Sequence, residues 1–245
     1  MFSSFYTAAS GMDAQLKKVE ILSQNLANAN TITYKQQRVN FEELMYQKLG
    51  ENIQAGTGVK LGKTERIFKP GAMQRTDNPL DVAIQGNGFF KVETPEGKIL
   101  YTRDGRLAVE NGELVVKDLG KLNIKVPSDV TNVTVEEDGT VIGYKGKDKV
   151  ELGKIKLYDF INPNGLKIVG KNAFEATKEA GKPFEIEPKK DGNAVILAGF
   201  IEKSNVNIIS QMMEIVASQR NYELVSKSVE SADQIARMAS QMKKQ

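Results

Sequence analysis

The chain contains neither histidine nor cysteine among its 245 residues. These two absences exclude a Ser-His-Asp triad, a thiolate nucleophile, an imidazole base, a zinc finger, an iron–sulfur cluster and a disulfide. Without cysteine, the chain is also indifferent to the redox state of its compartment. An enzyme built on this sequence would therefore depend on carboxylate, lysine or tyrosine chemistry.

An excess of one charge is also missing. The 34 basic and 31 acidic side chains leave a net charge of +3, too small for a field that draws a protein to nucleic acid or an anionic membrane. No window approaches 18 uninterrupted apolar residues, and residues 1–10 lack the basic start and apolar run of a secretory signal. We expect no nucleic-acid binding, no membrane-embedded segment and no cleaved signal.

Proline and glycine are absent from parts of the chain. All 7 prolines lie between Pro70 and Pro188, and residues 201–245 contain no glycine. This distribution predicts helical ends and a β-rich middle. The predicted class is α+β, with long N- and C-terminal helices in a coiled-coil-like inner domain and an antiparallel, sandwich- or barrel-like middle. The expected domains are 1–33 plus 204–245 (helical, for polymerisation), 34–74 (connecting arm) and 75–203 (β-rich).

Both predicted helices carry an apolar stripe, and we call these stripes the seams. The seam near the N-terminus has a spacing close to the heptad period and consists of Phe5, Ala9, Met12, Leu16, Val19 and Leu26. The second seam follows Ser204-Asn205, either of which can cap a helix, and consists of Ile208, Met212, Ile215, Tyr222, Val225, Val229, Ala232 and Ala236. A stripe of this kind needs a partner helix. The two helices could pair within one chain, or several copies could form a larger bundle.

The middle of the chain shows short apolar runs separated by turn dipeptides. Asn111-Gly112 and Asp138-Gly139 each separate two strand-like runs, which predicts two-residue hairpins. In the arm, residues 41–46 are compatible with one or two helical turns, and the glycines of residues 56–62 favour a flexible or extended segment.

Several sequence patterns imitate catalytic or nucleotide-binding motifs. Residues 56–64 end like a phosphate-binding loop, but Thr57 stands where that motif requires glycine. Gly86-Asn87-Gly88 lacks the third glycine of a dinucleotide fingerprint, because Lys91 occupies its place. The adjacent carboxylates at residues 42–43 and 136–137 point apart on a helix or strand. We therefore predict no catalytic residue, no cofactor and no metal site.

Four stretches of the sequence resemble the flagellar axial proteins, the rod and hook family. The first is an Asn-Leu-Ala-Asn signature formed by Asn25, Leu26, Ala27 and Asn28. The others are residues 78–90, residues 101–105, and residues 204–207 together with 219–223. The resemblance runs from end to end. One departure is Thr33, which stands before Tyr34-Lys35 where the family usually has glycine.

The resemblance implies a structural role without enzymatic activity. Rod proteins of this family assemble into a helical tube that spans the periplasm and transmits torque from the motor to the hook. The implied partners are further copies of the chain, neighbouring rod and hook proteins, the bushing rings and the flagellar type III export apparatus. Phe41 and Met45 resemble the export element of early substrates. The implied location is the basal-body rod, reached without a cleavable signal.

Within the family, the modest length and residues 41–47 are most similar to the distal rod members, with the proximal rod paralogues next. A different class remains open from the residues alone. The chain could be a carboxylate-based enzyme that is dimerised by its terminal helices.

Overall fold

The computed structural model describes residues 2–44, 46–48, 54–56, 58–146, 148–189 and 194–242. These residues divide into two compact units. Unit 1 comprises Met1–Ala29, Gln36–Ile67 and Val206–Gln245, and unit 2 comprises Asn30–Lys35 and Phe68–Asn205. Two long terminal helices that pack together and a β-rich antiparallel middle confirm the predicted α+β class.

Unit 1 combines the two long helices with two antiparallel strand pairs. Its elements are α1 (Phe2–Ala27), β1 (Gln37–Glu43), β2 (Tyr46–Lys48), β3 (Gln54–Gly56), β4 (Val59–Arg66) and α2 (Ile208–Met242). Strand β1 pairs with β4, and β2 pairs with β3. With 35 residues, α2 is roughly 52 Å long. It begins later than expected, because Asn207 is the capping residue. The Asn207 Oδ1 accepts the backbone N–H of Ser210 at 3.0 Å.

The prediction of helical turns at residues 41–46 was wrong. Residues 37–43 form strand β1, which pairs antiparallel with β4, and Phe41 lies opposite Leu61. Cross-strand contacts favour this pairing, including an ion pair of 3.1 Å between Glu42 and Lys60. Long-range pairing has thus overridden a weak local helical signal. Met45, the second residue of the candidate export element, lies outside the described residues.

Unit 2 holds sixteen strands and one 3₁₀ turn within its described residues. The strands are β5 (Met73–Arg75), β6 (Val82–Gly86), β7 (Phe89–Glu93), β8 (Ile99–Thr102), β9 (Leu107–Glu110), β10 (Glu113–Val116), β11 (Gly120–Lys125), β12 (Asn132–Val135), β13 (Thr140–Lys145), β14 (Asp148–Lys154), β15 (Leu157–Asp159), β16 (Lys167–Gly170), β17 (Ala173–Glu175), β18 (Phe184–Ile186), β19 (Ala194–Ala198) and β20 (Phe200–Glu202), and the 3₁₀ turn is Pro163–Gly165.

Antiparallel pairing organises unit 2. The largest sheet follows the order β16-β17-β8-β7-β11-β10-β9, and β15 joins it by pairing with both β7 and β18. Smaller sheets are formed by β12-β13-β14, β6-β19 and β5-β20. The main core lies among these sheets and includes Ile84, Phe90, Leu114, Leu157 and Ile196, each almost completely buried. Burial of this apolar surface is the principal stabilising contribution to the unit.

Both predicted hairpins are present, and one has a different loop. Asn111 and Gly112, with φ of 52° and 74°, connect β9 and β10 as a two-residue turn of the type that matches strand twist. At the second hairpin, the Glu136 N–H donates to the Thr140 carbonyl at 2.8 Å. Three residues therefore remain in the loop, and the last of them, Gly139, has φ of 87°. The two-residue prediction was wrong there because Gly139 occupies a left-handed position that closes a longer turn.

The departure from the family pattern at residue 33 has a structural consequence. Thr33 is buried and has φ of 57°, in the left-handed region that glycine adopts freely and a β-branched residue does not. Its N–H donates to the Glu202 carbonyl at 2.9 Å. The conformation is held by this surrounding structure at a cost of order 1–3 kcal/mol.

A pair of substitutions at Thr33 tests this interpretation. Thr33→Ala and Thr33→Gly both remove the hydroxyl and the methyl group, so their difference reports on backbone conformation. We expect the glycine variant to be more stable than the alanine variant by about 1 kcal/mol, measured by denaturant unfolding of the full chain. Thr31, which has no positive φ, should show the ordinary order, with alanine equal to or more stable than glycine. The same order at both positions would contradict the interpretation.

Candidate assembly surfaces

The two helices of unit 1 pack against each other in antiparallel directions. The Asn25 Nδ2 donates to the Gln211 Oε1 at 3.0 Å, and the Lys18 Nζ lies 3.7 Å from a Glu214 carboxylate oxygen. Nearer its start, α1 lines a groove of about 380 Å³ together with the middle of α2, formed by Phe5, Ala8, Leu224, Val225, Ser228, Val229 and Ala232. Later residues of α2 thus contact earlier residues of α1, so the two helices run antiparallel.

The seam predicted on α1 lies beside the most buried face of this helix. Among the residues of α1 from position 5 onward, Ala14, Leu22 and Asn25 are buried. Of the seam residues, Phe5, Met12, Val19 and Leu26 are partly buried, Ala9 is exposed, and Leu16 is 54% exposed. The centre of the buried face was missed because it includes an asparagine and an alanine, which weaken its apolar signal. Much of the seam therefore remains accessible in the single chain.

The seam predicted on α2 is divided between packed and exposed positions. Ile215, Tyr222, Val225, Val229 and Ala236 are partly buried, and Val225 and Val229 line the groove beside α1. The remaining seam residues, Ile208, Met212 and Ala232, are exposed.

A second apolar stripe on α2 was missed by the sequence analysis. We call it the outer stripe, and it consists of Ile209, Met213, Val216, Leu224, Ile235 and Met238, all exposed. Of these, Leu224 also lines the groove beside α1. At about 100° per residue, these positions fall within an arc of roughly 100°. Their spacing gave a helical signal, but it was obscured because Arg220, Lys227 and Ser231 occupy the intervening positions. An exposed apolar stripe of this length on a helix is a candidate interaction surface.

The first asparagine of the family signature, Asn25, is completely buried and joins three elements of unit 1. Its Nδ2 donates to the Gln37 carbonyl at 2.8 Å, and its Oδ1 accepts the Gln37 N–H at 2.9 Å. The side chain thus pairs with the first residue of β1 as a neighbouring strand would, while its second amide hydrogen binds Gln211 on α2. Because a one-turn shift of either helix would break these bonds, Asn25 fixes their register.

Unit 2 contains a buried cluster of three charges, which we call the entry clamp. Glu202 accepts hydrogen bonds from Lys35 at 2.5 Å and from Arg103 at 2.8 Å, and all three residues are almost inaccessible to solvent. Burial and the nearby charge of Arg103 lower the pKa of Lys35 to about 8, although Glu202 opposes the shift. Burial alone would raise the pKa of Glu202, but the charges of Arg103 and Lys35 outweigh it and keep that pKa below its ordinary value.

Comparison with known proteins accounts for the whole chain. Residues 5–35 match the family "Flagella basal body rod protein", residues 83–143 match the "Flagellar hook protein FlgE/F/G D1 domain", and residues 197–242 match the "Flagellar basal body rod FlgEFG protein C-terminal". The flagellar basal-body rod protein FlgG of Buchnera aphidicola (from Acyrthosiphon pisum) is 37% identical over 260 residues, covering 99% of this chain and 100% of the relative. The chain belongs to the FlgG family of flagellar basal-body rod proteins.

Other relatives lead to the same family. FlgG of Borreliella burgdorferi is 37% identical and aligns over 100% of both chains, and FlgG of Caulobacter vibrioides is 35% identical over 97% of this chain and 98% of the relative. Membership confirms the resemblance and assigns the chain a structural, non-enzymatic role in the distal rod of the basal body. It decides against the proximal paralogue and the carboxylate enzyme, and it implies assembly with rod and hook proteins.

Among the described residues, neither helix combines the length and apolar character needed to cross a membrane. The same part of the chain contains no group of three or more acidic side chains placed to hold a metal ion.

Substitution of the buried signature asparagine tests its role. Asn25→Ala removes three hydrogen bonds and leaves the Gln37 backbone groups unpaired, so we expect a loss of about 2–3 kcal/mol in the stability of unit 1. The matched variant Asn28→Ala removes a hydrogen bond to the Gln24 carbonyl at the surface and should cost less than about 1 kcal/mol. Unfolding followed by the helical circular dichroism signal measures both. Equal losses would contradict the special role of Asn25.

The lowered pKa of Lys35 predicts a pH dependence. Between pH 8 and 10 the unfolded chain keeps a proton on Lys35 that the folded chain has released, so the free energy of unfolding rises with pH. Arg103 and Glu202 are the charged groups that act on Lys35. Relative to Lys35→Met, the wild type should gain on the order of 2 kcal/mol across this window. Parallel stability curves for the two proteins, measured by denaturant unfolding, would contradict the shift.

Proposed function

We propose that the chain polymerises through the apolar surface that its helix pair leaves exposed, and that this assembly forms the wall of the rod. The observation that carries the proposal is the outer stripe of α2, with Met213 69% and Ile235 63% exposed. A single chain buries one face of α2 against α1 and has no described element over the opposite face. Association of copies would remove this surface from water, at about 25 cal/mol per Å² of apolar area.

The exposed part of the α1 seam supplies a second contact surface. Leu16 and Ala9 lie on a different helix from the outer stripe, and Tyr6, also exposed, lies near them on α1. Two different surfaces on one chain favour a heterologous contact, in which the surface of one copy meets the other surface of the next. Contacts of this kind extend into a helical filament when the rotation between copies does not close a ring.

The remaining partners and domain roles belong to the same proposal. We assign the helical residues 1–33 and 204–245 to the inner, polymerising domain and residues 75–203 to an outer domain that meets the bushing rings. The arm at residues 34–74 adds contacts between copies. Phe41, which is 42% exposed on β1, acts with Met45 as the element read by the type III export apparatus before the chain folds.

Charged substitutions in the two surfaces test the assembly. Leu16→Asp and Met213→Asp should each abolish filaments, because assembly would bury an unpaired carboxylate at a cost of several kcal/mol. Both positions are exposed in the single chain, so its fold should be retained. Filament formation is measured by sedimentation and electron microscopy, and folding by circular dichroism and protease resistance of unit 2.

Two control variants carry the same new charge at exposed polar positions. Gln24→Asp on α1 and Gln219→Asp on α2 should polymerise normally. Ile215→Asp is expected to abolish filaments as well, but it is less decisive because Ile215 is already partly buried within the chain. Normal filaments from both Leu16→Asp and Met213→Asp would overturn the proposed surfaces.

A further inference from the structure

The entry clamp lies where the polypeptide enters and leaves unit 2. Unit 2 is built from the segments Asn30–Lys35 and Phe68–Asn205. The polypeptide therefore enters or leaves unit 2 at each end of these two segments. Lys35 is the last residue of the first segment, and Glu202 lies three residues before the end of the second. We call residues 30–35, 68–72 and 200–205 the passages. Arg103 belongs to none of them.

The Glu202 side chain binds two passages and the body of the unit at once. Its Oε1 accepts from the Lys35 Nζ at 2.5 Å and from the Gly71 N–H at 2.8 Å, and its Oε2 accepts from the Arg103 Nε at 2.8 Å. Arg103 also donates to the carbonyls of Ile84, Gly86 and Gly88 between 2.9 and 3.0 Å, around the turn that joins β6 to β7. The carboxylate is therefore tied to a fixed part of the sheet.

Further hydrogen bonds join the passages to one another. The Lys69 carbonyl accepts from the Lys35 Nζ at 2.9 Å and from the Asn205 Nδ2 at 3.0 Å. The Glu202 carbonyl accepts the Thr33 N–H at 2.9 Å, and the Lys203 N–H donates to the Ala72 carbonyl at 2.9 Å. Segments that are distant in sequence are thus held side by side around one carboxylate.

Stability alone does not explain three buried charges. Removing such groups from water is costly, and well-packed apolar residues at the same positions are often as stabilising. Charge-assisted hydrogen bonds differ from apolar contacts in being directional. If the passage that carries Lys35 or the one that carries Glu202 moves away, a charge is left buried without its partner, which is strongly unfavourable. If residues 68–72 move away, the Glu202 carboxylate loses the Gly71 N–H and the Lys35 ammonium loses the Lys69 carbonyl. The cluster therefore favours a single arrangement of all three passages over any partial one.

We propose that Glu202 is a positioning residue that locks the three passages of unit 2 into one arrangement through Lys35, Gly71 and Arg103. The proposed consequence is that the chain leaves unit 2 through stiff segments, as a protein that transmits torque requires. This consequence rests on the proposed function, whereas the locking itself is a property of the single chain.

Hydrogen exchange on the full-length, unassembled chain tests the locking. In Glu202→Gln, the amides of Thr33, Gly71 and Lys203 should exchange about tenfold faster or more, the size expected for loss of charge-assisted hydrogen bonds. Amides of the paired strands β6 and β19 should keep their wild-type rates. The control Glu185→Gln removes the partner of an exposed ion pair of 2.9 Å with Lys156 and should leave the passages unchanged.

Lys35→Met provides a milder variant in case Glu202→Gln does not fold. It keeps the Glu202–Arg103 pair, so the same three amides should exchange faster by a smaller factor, again with β6 and β19 unchanged. Unchanged passage amides would overturn the proposal, and so would equal acceleration in the passages and the strands, which would indicate general destabilisation only. Because no filament is involved, this result is independent of the assembly test on Leu16 and Met213.

Discussion

The packing of α1 against α2 is the interaction on which the organisation of unit 1 depends. It brings Asn25 of α1 against Gln211 of α2, and it leaves Leu16 and the outer stripe of α2 exposed. A face of a helix that is buried within the chain is not available to another copy, so the intramolecular packing determines which faces other copies can contact. In the assembly that we propose, the faces that meet other copies thus follow from the face that the chain uses for itself, and the isolated chain buries only part of its apolar surface.

Much of the fold could be predicted from the sequence because local residue patterns determine it. Glycine and proline usage separates the helical ends from the β-rich middle, and Asn111-Gly112 specifies its turn directly. Strand β1 could not be predicted, because its stability comes from pairing with β4, some twenty residues away. The loop length at Gly139 was predicted wrongly for a similar reason, because the position of a turn residue within a loop depends on strand register.

The candidate assembly surfaces were only partly predictable from the sequence, for a different reason. Apolar periodicity identified stripes on both helices, but it could not tell which stripe the chain uses for itself. The outer stripe was overlooked because charged and polar residues interrupt it. Periodicity also ignores buried polar residues, so Gln211, Lys35 and Glu202 gave no signal. Asn25 was identified only through the family resemblance, which did not indicate its structural role.

Apolar and polar contacts contribute differently to a structure that must both assemble and remain stiff. Apolar stripes supply free energy but tolerate sliding, because dispersion and burial depend weakly on direction. Asn25 in unit 1 and Glu202 in unit 2 have the opposite character, since each satisfies several donors and acceptors in one geometry only. A rod subunit that relied on apolar contacts alone could assemble and still deform under load. We propose that the two buried polar centres supply the directional constraint that the stripes lack, which would account for their burial despite the cost of desolvation.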